Sequence, residues 1–225
     1  PAASGDNDPR ERTLRLELRL AHACVARHGH ASDLTVRAFK RAHDLADLLE
    51  ASPRRFAAYY GYLVTQLVQC QLREAMAVAH KLSKDADAGN DDVRRLMAAC
   101  GRGTTATLMG DFAAAQACFD IVWRLGEGME AAALIRQFGH DPRGVARCYG
   151  ALGLWCMGDR QEAASLWHQG MHLARVSNHT PSQAQPLVFG AFLAGLSQSP
   201  DEFAQRTDEA TAFTAQHGFQ MWHGV

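Results

Sequence analysis

An excess of charge of either sign is the first thing this sequence lacks: 23 Lys and Arg stand against 24 Asp and Glu, leaving a net charge of −1 over 225 residues. Such a balance gathers neither nucleic acid nor an anionic membrane surface. Long apolar runs are lacking too. No window approaches the roughly 18 uninterrupted apolar residues of a membrane span, and the first twenty residues are polar, without the apolar core of a signal peptide. These two absences lead to the expectation of a cytoplasmic protein. Cysteines are present but lack the spacing for chemistry. Cys24, Cys70, Cys100, Cys118, Cys148 and Cys156 form no CxxC pair, and most sit beside Ala, Leu and Val, as buried free thiols do in a reducing compartment. Neither a disulfide framework nor a metal site is expected from them. Strand patterning is equally rare. Leu14, Leu16, Leu18 and Leu20 alternate, but Ala21, Ala23 and Val25 carry the run on at mixed period, in residue types that favour a helix.

What the chain does contain is a repeated phrase. Met109-Gly110-Asp111-Phe112-Ala113-Ala114-Ala115 returns as Met157-Gly158-Asp159-Arg160-Gln161-Glu162-Ala163. In each copy a glycine closes one apolar helix and an Asp is placed to cap the next. An Ala five residues after the Gly lets two helices approach, and Phe119 or Trp167 follows one helical turn later. Weaker copies start at Gly29 (with Ala38, Phe39 and Ala42), at Cys70 (with Ala75) and at Ser199 (with Ala204). This alternation of Gly, Ala and aromatic positions resembles the tetratricopeptide (TPR) pattern. Its earlier Gly is matched by Gly103 in one copy and replaced by Ala151 in the other. Ala-to-Ala spacings of 37, 40, 48 and 41 make the array irregular. The expected fold is all-α, an irregular right-handed TPR-like solenoid of about five antiparallel helix hairpins, forming a single domain over 1–225. The hairpins fall at about 9–51, 53–86, 91–125, 142–177 and 182–217.

Caps and prolines mark the helix starts. Asp8-Pro9-Arg10-Glu11 and Ser199-Pro200-Asp201-Glu202 read as capping boxes with Pro at the first helical position. Ser52-Pro53, Asp141-Pro142 and Thr180-Pro181 read as three further cap-Pro starts. The spacing predicts helices over 9–28, 32–51, 53–69, 71–86, 91–109, 112–125, 142–157, 160–177, 182–197 and 200–217. A short extra helix is expected between Met129 and Phe138, where the repeat is interrupted. Pro186 would disrupt a helix interior at about 3 kcal/mol, so that helix is expected to start near Gln185.

No catalytic constellation can be assembled. Gly101-Arg102-Gly103-Thr104-Thr105 is Gly-rich, but no GK[ST] follows it and it falls within a helix. His168 and His172 have the i, i+4 spacing of metal ligands without a third ligand, and read as polar-face residues. His28-Gly29-His30 reads as a solvated turn. His140-Asp141 has a structural explanation, since Asp141 caps the helix beginning at Pro142. The chain is read as non-enzymatic, with no cofactor.

The TPR resemblance implies that the first helix of each hairpin lines a concave groove. Counting back from the turns places Tyr60, Val64, Cys100, Thr104, Cys148, Leu152, Phe189 and Leu193 on it, with Trp155 one turn further. The TPR domains that hold a peptide's terminal carboxylate use Lys, Arg and Asn at such positions. Here only Arg19, in the divergent first repeat, offers one.

More specifically, the chain resembles the TPR region that follows the ATPase module in bacterial multidomain signalling proteins, namely class III adenylate/guanylate cyclases and STAND-type regulators. The residues carrying this resemblance are Glu17-Leu18-Arg19-Leu20; Gly139-His140-Asp141-Pro142 with Leu154-Trp155 and Met157-Gly158; and His217-Gly218-Phe219 with Trp222. The resemblance implies a regulatory interaction module whose partner is another protein or another domain of the same polypeptide. A small-molecule effector in the apolar groove is the alternative. Nucleic acid and membrane are not among the expected partners. The chain starts at Pro1 without Met, and Phe219, Met221 and Trp222 look like the opening of a further apolar helix, so it is expected to be a piece of a longer protein. That apolar end is expected to pack on a following repeat or, in isolation, on a second copy as a homodimer.

Overall fold

The computed structural model describes residues 8–49 and 52–219. Among these, eleven α-helices and no strand are present: α1 (Pro9–His28), α2 (Asp33–Asp47), α3 (Arg55–Val68), α4 (Leu72–Ala88), α5 (Asp92–Met109), α6 (Phe112–Gly126), α7 (Ala131–Phe138), α8 (Pro142–Met157), α9 (Arg160–Val176), α10 (Thr180–Leu196) and α11 (Pro200–His217). Two compact units divide the chain, residues 1–105 and 106–225, with the boundary inside α5. In the first unit α1 packs on α2, α2 on α3 and α3 on α4. In the second, α8 packs on α9, α10 on α11, and α6 and α10 each on α8.

The repeated phrase forms the expected turns. Gly110 (φ 82°) and Gly158 (φ 96°) close α5 and α8 in the left-handed region. Asp111 and Asp159 then cap the next helices, accepting from the amides of Ala114 and Glu162 at 3.1 Å. Five residues beyond each glycine, Ala115 and Ala163 are buried. The turns at Cys70 (φ 57°) and Gln198 (φ 55°) take up the same backbone conformation without glycine.

Burial revises the register of the outer copies. Along α4 and α6 the same rows are buried, Ala75, Val78, Ala79 and Leu82 matching Ala115, Cys118, Phe119 and Val122. In α2 that series is Thr35, Ala38, Phe39 and Ala42, so Thr35, not Ala38, occupies the small-residue position. The reason is a longer turn: Ser32, which caps α2 by accepting from the Thr35 amide at 3.2 Å, lies three residues beyond Gly29, whereas Asp111 directly follows Gly110. In the last hairpin the position five beyond Gln198 is Phe203, 44% exposed, and Ala204 is exposed. Its ring lies where a Cβ on Gly195 would come within 3.2 Å, so a bulky residue faces a glycine in place of the usual small residue.

Helix starts follow the caps with four corrections. Asp8 and Asp141 cap α1 and α8 ahead of a proline, as read. Glu11 does not complete a capping box; its buried carboxylate pairs with Arg54 at the start of α3. The Ser199 side chain makes no cap hydrogen bond, and only its carbonyl engages α11, accepting from the Phe203 amide at 2.9 Å. After Ser52-Pro53 the chain makes a turn and α3 begins at Arg55, since Ser52 Oγ accepts from the Arg54 amide at 3.1 Å. Most informative is α10, which starts at Thr180 and runs through Pro186. Pro186 is buried and its carbonyl accepts the Trp167 indole N–H at 2.7 Å, so tertiary packing overrides the local penalty.

The interruption of the repeat is α7, with Leu134 buried and Gly139 (φ 78°) closing it. Arg143 ties this insertion down by donating to the carbonyls of Gly126 (3.1 Å) and Met129 (2.9 Å) while paired with Asp141 at 2.8 Å.

Candidate functional site

In the first unit the expected groove residues divide by depth. Cys100 and Thr104, on α5, are buried, whereas Tyr60 and Val64, on α3, are half-buried. Burial, and next the nearby Cys100, push the Tyr60 phenol well above its usual pKa, so it stays a neutral hydroxyl. Gly61 beside it receives the Phe39 ring of α2, and Gly101 receives Leu63.

The second unit brings its five together more closely. Cys148, Phe189 and Leu193 are buried in one cluster with Trp167, Met171, Leu187 and Val188, and Leu152 and Trp155 pack against it. Burial pushes the Cys148 thiol up, away from thiolate reactivity. Phe189 holds Tyr149 edge-on at 4.7 Å between ring centroids. These side chains therefore spend most of their area on the core between α8 and α10. Phe192 and Leu196 on α10 remain partly exposed beside them.

Two of the five, Trp155 and Leu193, also line a recess that sequence reading missed. It has a volume of about 190 Å³ and is lined by Ala163, Ala164, Gly190, Leu193 and Ala194, by the indoles of Trp155 and Trp167, and by Arg160, His168, Glu202 and Arg206. A second recess of about 240 Å³ adjoins it through Trp167, His168 and Arg206, and continues to Met171, Leu187, Arg175 and Glu209. The Arg206 guanidinium lies over Trp167 at 4.3 Å and Arg160 over Trp155 at 5.3 Å. Trp155 donates to Ser197 Oγ at 3.3 Å. No local sequence signal marks the recess, since Ala163-Ala164, Gly190 and the two Trp-Arg pairs come together only in the fold. It was invisible without the close approach of α9 to α10, where Trp167 lies within 2.7 Å of any Cβ added to Gly190.

Nothing among the described residues assembles a metal-binding group of three or more His, Cys, Asp or Glu side chains. His168 Nδ1 is engaged by the carbonyl of Ala164 at 2.8 Å, one turn back on its own helix. Asp141 is buried and committed to the α8 cap and Arg143. No disulfide links any of the six cysteines. No described helix is long and apolar enough to cross a membrane. Met221 and Trp222, which carried the expectation about the C-terminal end, lie outside the described residues.

No known protein family profile matches the chain, and no curated protein matches it. Solved structures do resemble it, among them two of TPR-like repeats. Both are of Podosopora anserina proteins described as putative kinesin light chain with nearly identical TPR-like repeats, one of them a single-substitution variant. The variant aligns with a TM-score of 0.59 at 14% identity, over 92% of this chain and 97% of that one. Its counterpart gives 0.58 at 14% identity, over 94% and 98%. The chain is thus a TPR-like helical repeat protein by fold. The likeness, at this identity, is one of fold alone.

Proposed function

We propose that this chain is a non-catalytic, protein-interaction domain of a bacterial multidomain signalling protein, regulating an ATPase or nucleotide cyclase module of the same polypeptide. The observation that carries the interaction role is the TPR-like repeat fold, the class of scaffold that presents stacked helix faces to protein partners. The signalling context rests on the sequence resemblance through Gly139-His140-Asp141-Pro142, Leu154-Trp155 and Met157-Gly158. The nine groove positions, from Tyr60 to Leu193, are its proposed interaction residues, with Leu152 and Trp155 the more accessible in the second unit. A second reading, a sensor for a small-molecule effector, is favoured by the Trp155-lined recess.

The test is to assay the parent protein's ATPase or cyclase rate with residues 1–225 present, deleted, and added back in trans. A several-fold change on deletion, reversed by the added domain, is expected. Identical rates in all three would overturn the regulatory reading.

A further inference from the structure

The paired recesses lie between α9 and α11 over Leu187, Gly190, Leu193 and Ala194 of α10, and they meet the groove expected on the first helices at Trp155 and Leu193. Their chemistry is specific. Small residues and the Trp155 and Trp167 indoles line one recess, and Trp167, Met171 and Leu187 line the other; Arg206 is common to both, held by Glu202 at 2.7 Å and by the Trp167 face. Each recess has room for one apolar side chain. At the two ends of α9 stand Arg160 and Arg175, both exposed and neither with a carboxylate partner among the described residues. Glu209 faces the second recess, which disfavours an anionic group in the middle of the track. Negative charge is therefore welcome at the ends and apolar side chains between them.

The distance between those ends defines the ligand's length. Arg160 and Arg175 are separated by about 22 Å at 1.5 Å per helical residue. An extended chain covers that span in about six to seven residues, with alternate side chains on one face. We infer that the α9–α11 track binds an extended peptide carrying carboxylates at positions i and i+6 and apolar side chains at i+2 and i+4. This deepens the interaction-domain reading and rests on it, by naming a contact track that leaves the expected groove at Trp155 and Leu193, and the chemistry of its partner.

The probe is the fluorescein-labelled, C-terminally amidated peptide Glu-Ser-Leu-Ser-Leu-Ser-Glu, with Lys in place of both Glu, or Ser in place of both Leu, as controls. Fluorescence anisotropy with the full chain should show saturable binding, weakened about tenfold or more by either control and by 0.5 M salt. Ala164 is exposed and lines the recess, so Ala164→Trp fills the recess without entering the core and should weaken binding about tenfold. Arg175→Glu, at the other end, is a second surface change and should weaken it about fivefold. Far-UV circular dichroism confirms that both variants keep their helices. Absence of saturable binding, equal binding of the Lys peptide, or indifference to both variants overturns the inference. The rate assay on the parent protein stands apart from these outcomes: regulation that survives Ala164→Trp and Arg175→Glu leaves the interaction domain intact while removing this face from it.

Discussion

In residues 1–105 the ring of Phe39 rests on Gly61, and in residues 106–225 the rings of Phe119 and Trp167 rest on Gly150 and Gly190. What surrounds these contacts differs. Around the first, polar side chains close on one another. Tyr59 donates to Asp47 at 2.6 Å, Lys81 pairs with Asp47 at 2.8 Å and also donates to His43 Nε2 at 3.2 Å, and His43 donates from Nδ1 to Asp44 at 3.1 Å. Arg55 pairs with Asp85 at 3.1 Å and lies over the Tyr59 ring. Around Trp167 the cations lie on indole faces and Arg160 and Arg175 stay unpaired among the described residues, leaving the recesses open. A polar network that satisfies itself stabilises a fold, whereas cations held beside apolar hollows are available to a partner. The polar network closes on itself in the first unit, and the recesses beside cations stay open in the second.

The sharpest way to break the contrast is at the glycines. A Cβ on Gly61 would lie 1.9 Å from Phe39 Cε1, and that ring is buried and packed edge-on by His22 at 5.8 Å between centroids. Gly61→Ala should cost about 3 kcal/mol, at the upper end of overpacking. At Gly190 the added Cβ would lie 2.7 Å from Trp167 Cζ2, beside an open recess into which the ring can shift. Gly190→Ala should cost about 1–2 kcal/mol. Urea unfolding followed by circular dichroism measures both. All four tryptophans (Trp123, Trp155, Trp167 and Trp222) follow residue 105, so indole fluorescence reports the second unit by itself. Equal costs would show that the open recess gives the Trp167 ring no freedom. Overpacking at the hairpin turns should be comparable to the Gly190 change. Ala115→Leu and Ala163→Leu, at buried positions, should each lower stability by about 1–3 kcal/mol, and unchanged melting in both would displace the repeat register.

Acid distinguishes the two units next. Burial alone would raise the Asp47 carboxyl, but the hydrogen bonds from Lys81 and Tyr59 outweigh it and hold the group below the usual Asp value. Asp44 is held down in the same way by Lys40 and His43. Carboxyls depressed in the folded state contribute stability that is present above the unfolded value of about 4 and is lost as pH falls through the lower folded value. Stability of the first unit should therefore decline below about pH 4. Asp47→Asn should be less stable at pH 7 and show a shallower decline in acid, because the variant no longer has that proton to bind. Urea midpoints at pH 7 and pH 3 measure this, with indole fluorescence expected to give the same pH dependence for parent and variant.

Much of the fold was legible because its signals are local. Gly110-Asp111 and Gly158-Asp159 announce a left-handed turn and a cap within two residues, and the helices they delimit appear within a residue or two of their expected ends. The misplaced features come from an irregular turn or from residues far apart in sequence. Thr35 takes the position assigned to Ala38 through a longer turn, and Pro186 stays within α10 because its carbonyl meets Trp167, 19 residues away. The glycines that admit neighbouring rings, Gly61, Gly150 and Gly190, were passed over in favour of Gly103, since which ring presses on which glycine is set by packing. The recess required four helices at once. Trp155 and Leu193 follow from counting along α8 and α10, but Arg160, His168 and Arg206 belong to α9 and α11, which the TPR pattern does not assign to the inner face.

The smallest effect is expected at the turns, where the two units share a liability that glycine removes. Cys70 and Gln198 sit at φ 57° and 55° in the position that Gly110 and Gly158 occupy in the regular copies. A side chain in this region crowds its own backbone at a cost of roughly 1–2 kcal/mol, which glycine avoids. Glycine gives back part of that gain by loosening the unfolded chain. Cys70 and Gln198 are both exposed, so little packing is lost with either side chain. Cys70→Gly in the first unit and Gln198→Gly in the second should each raise stability by about 0.5–1 kcal/mol, while Gly158→Ala should lower it by a similar amount. Denaturant midpoints with an unchanged slope would record these shifts. A loss of stability in both glycine variants would mean that the side chains of Cys70 and Gln198 contribute more to their turns than their backbone conformation costs.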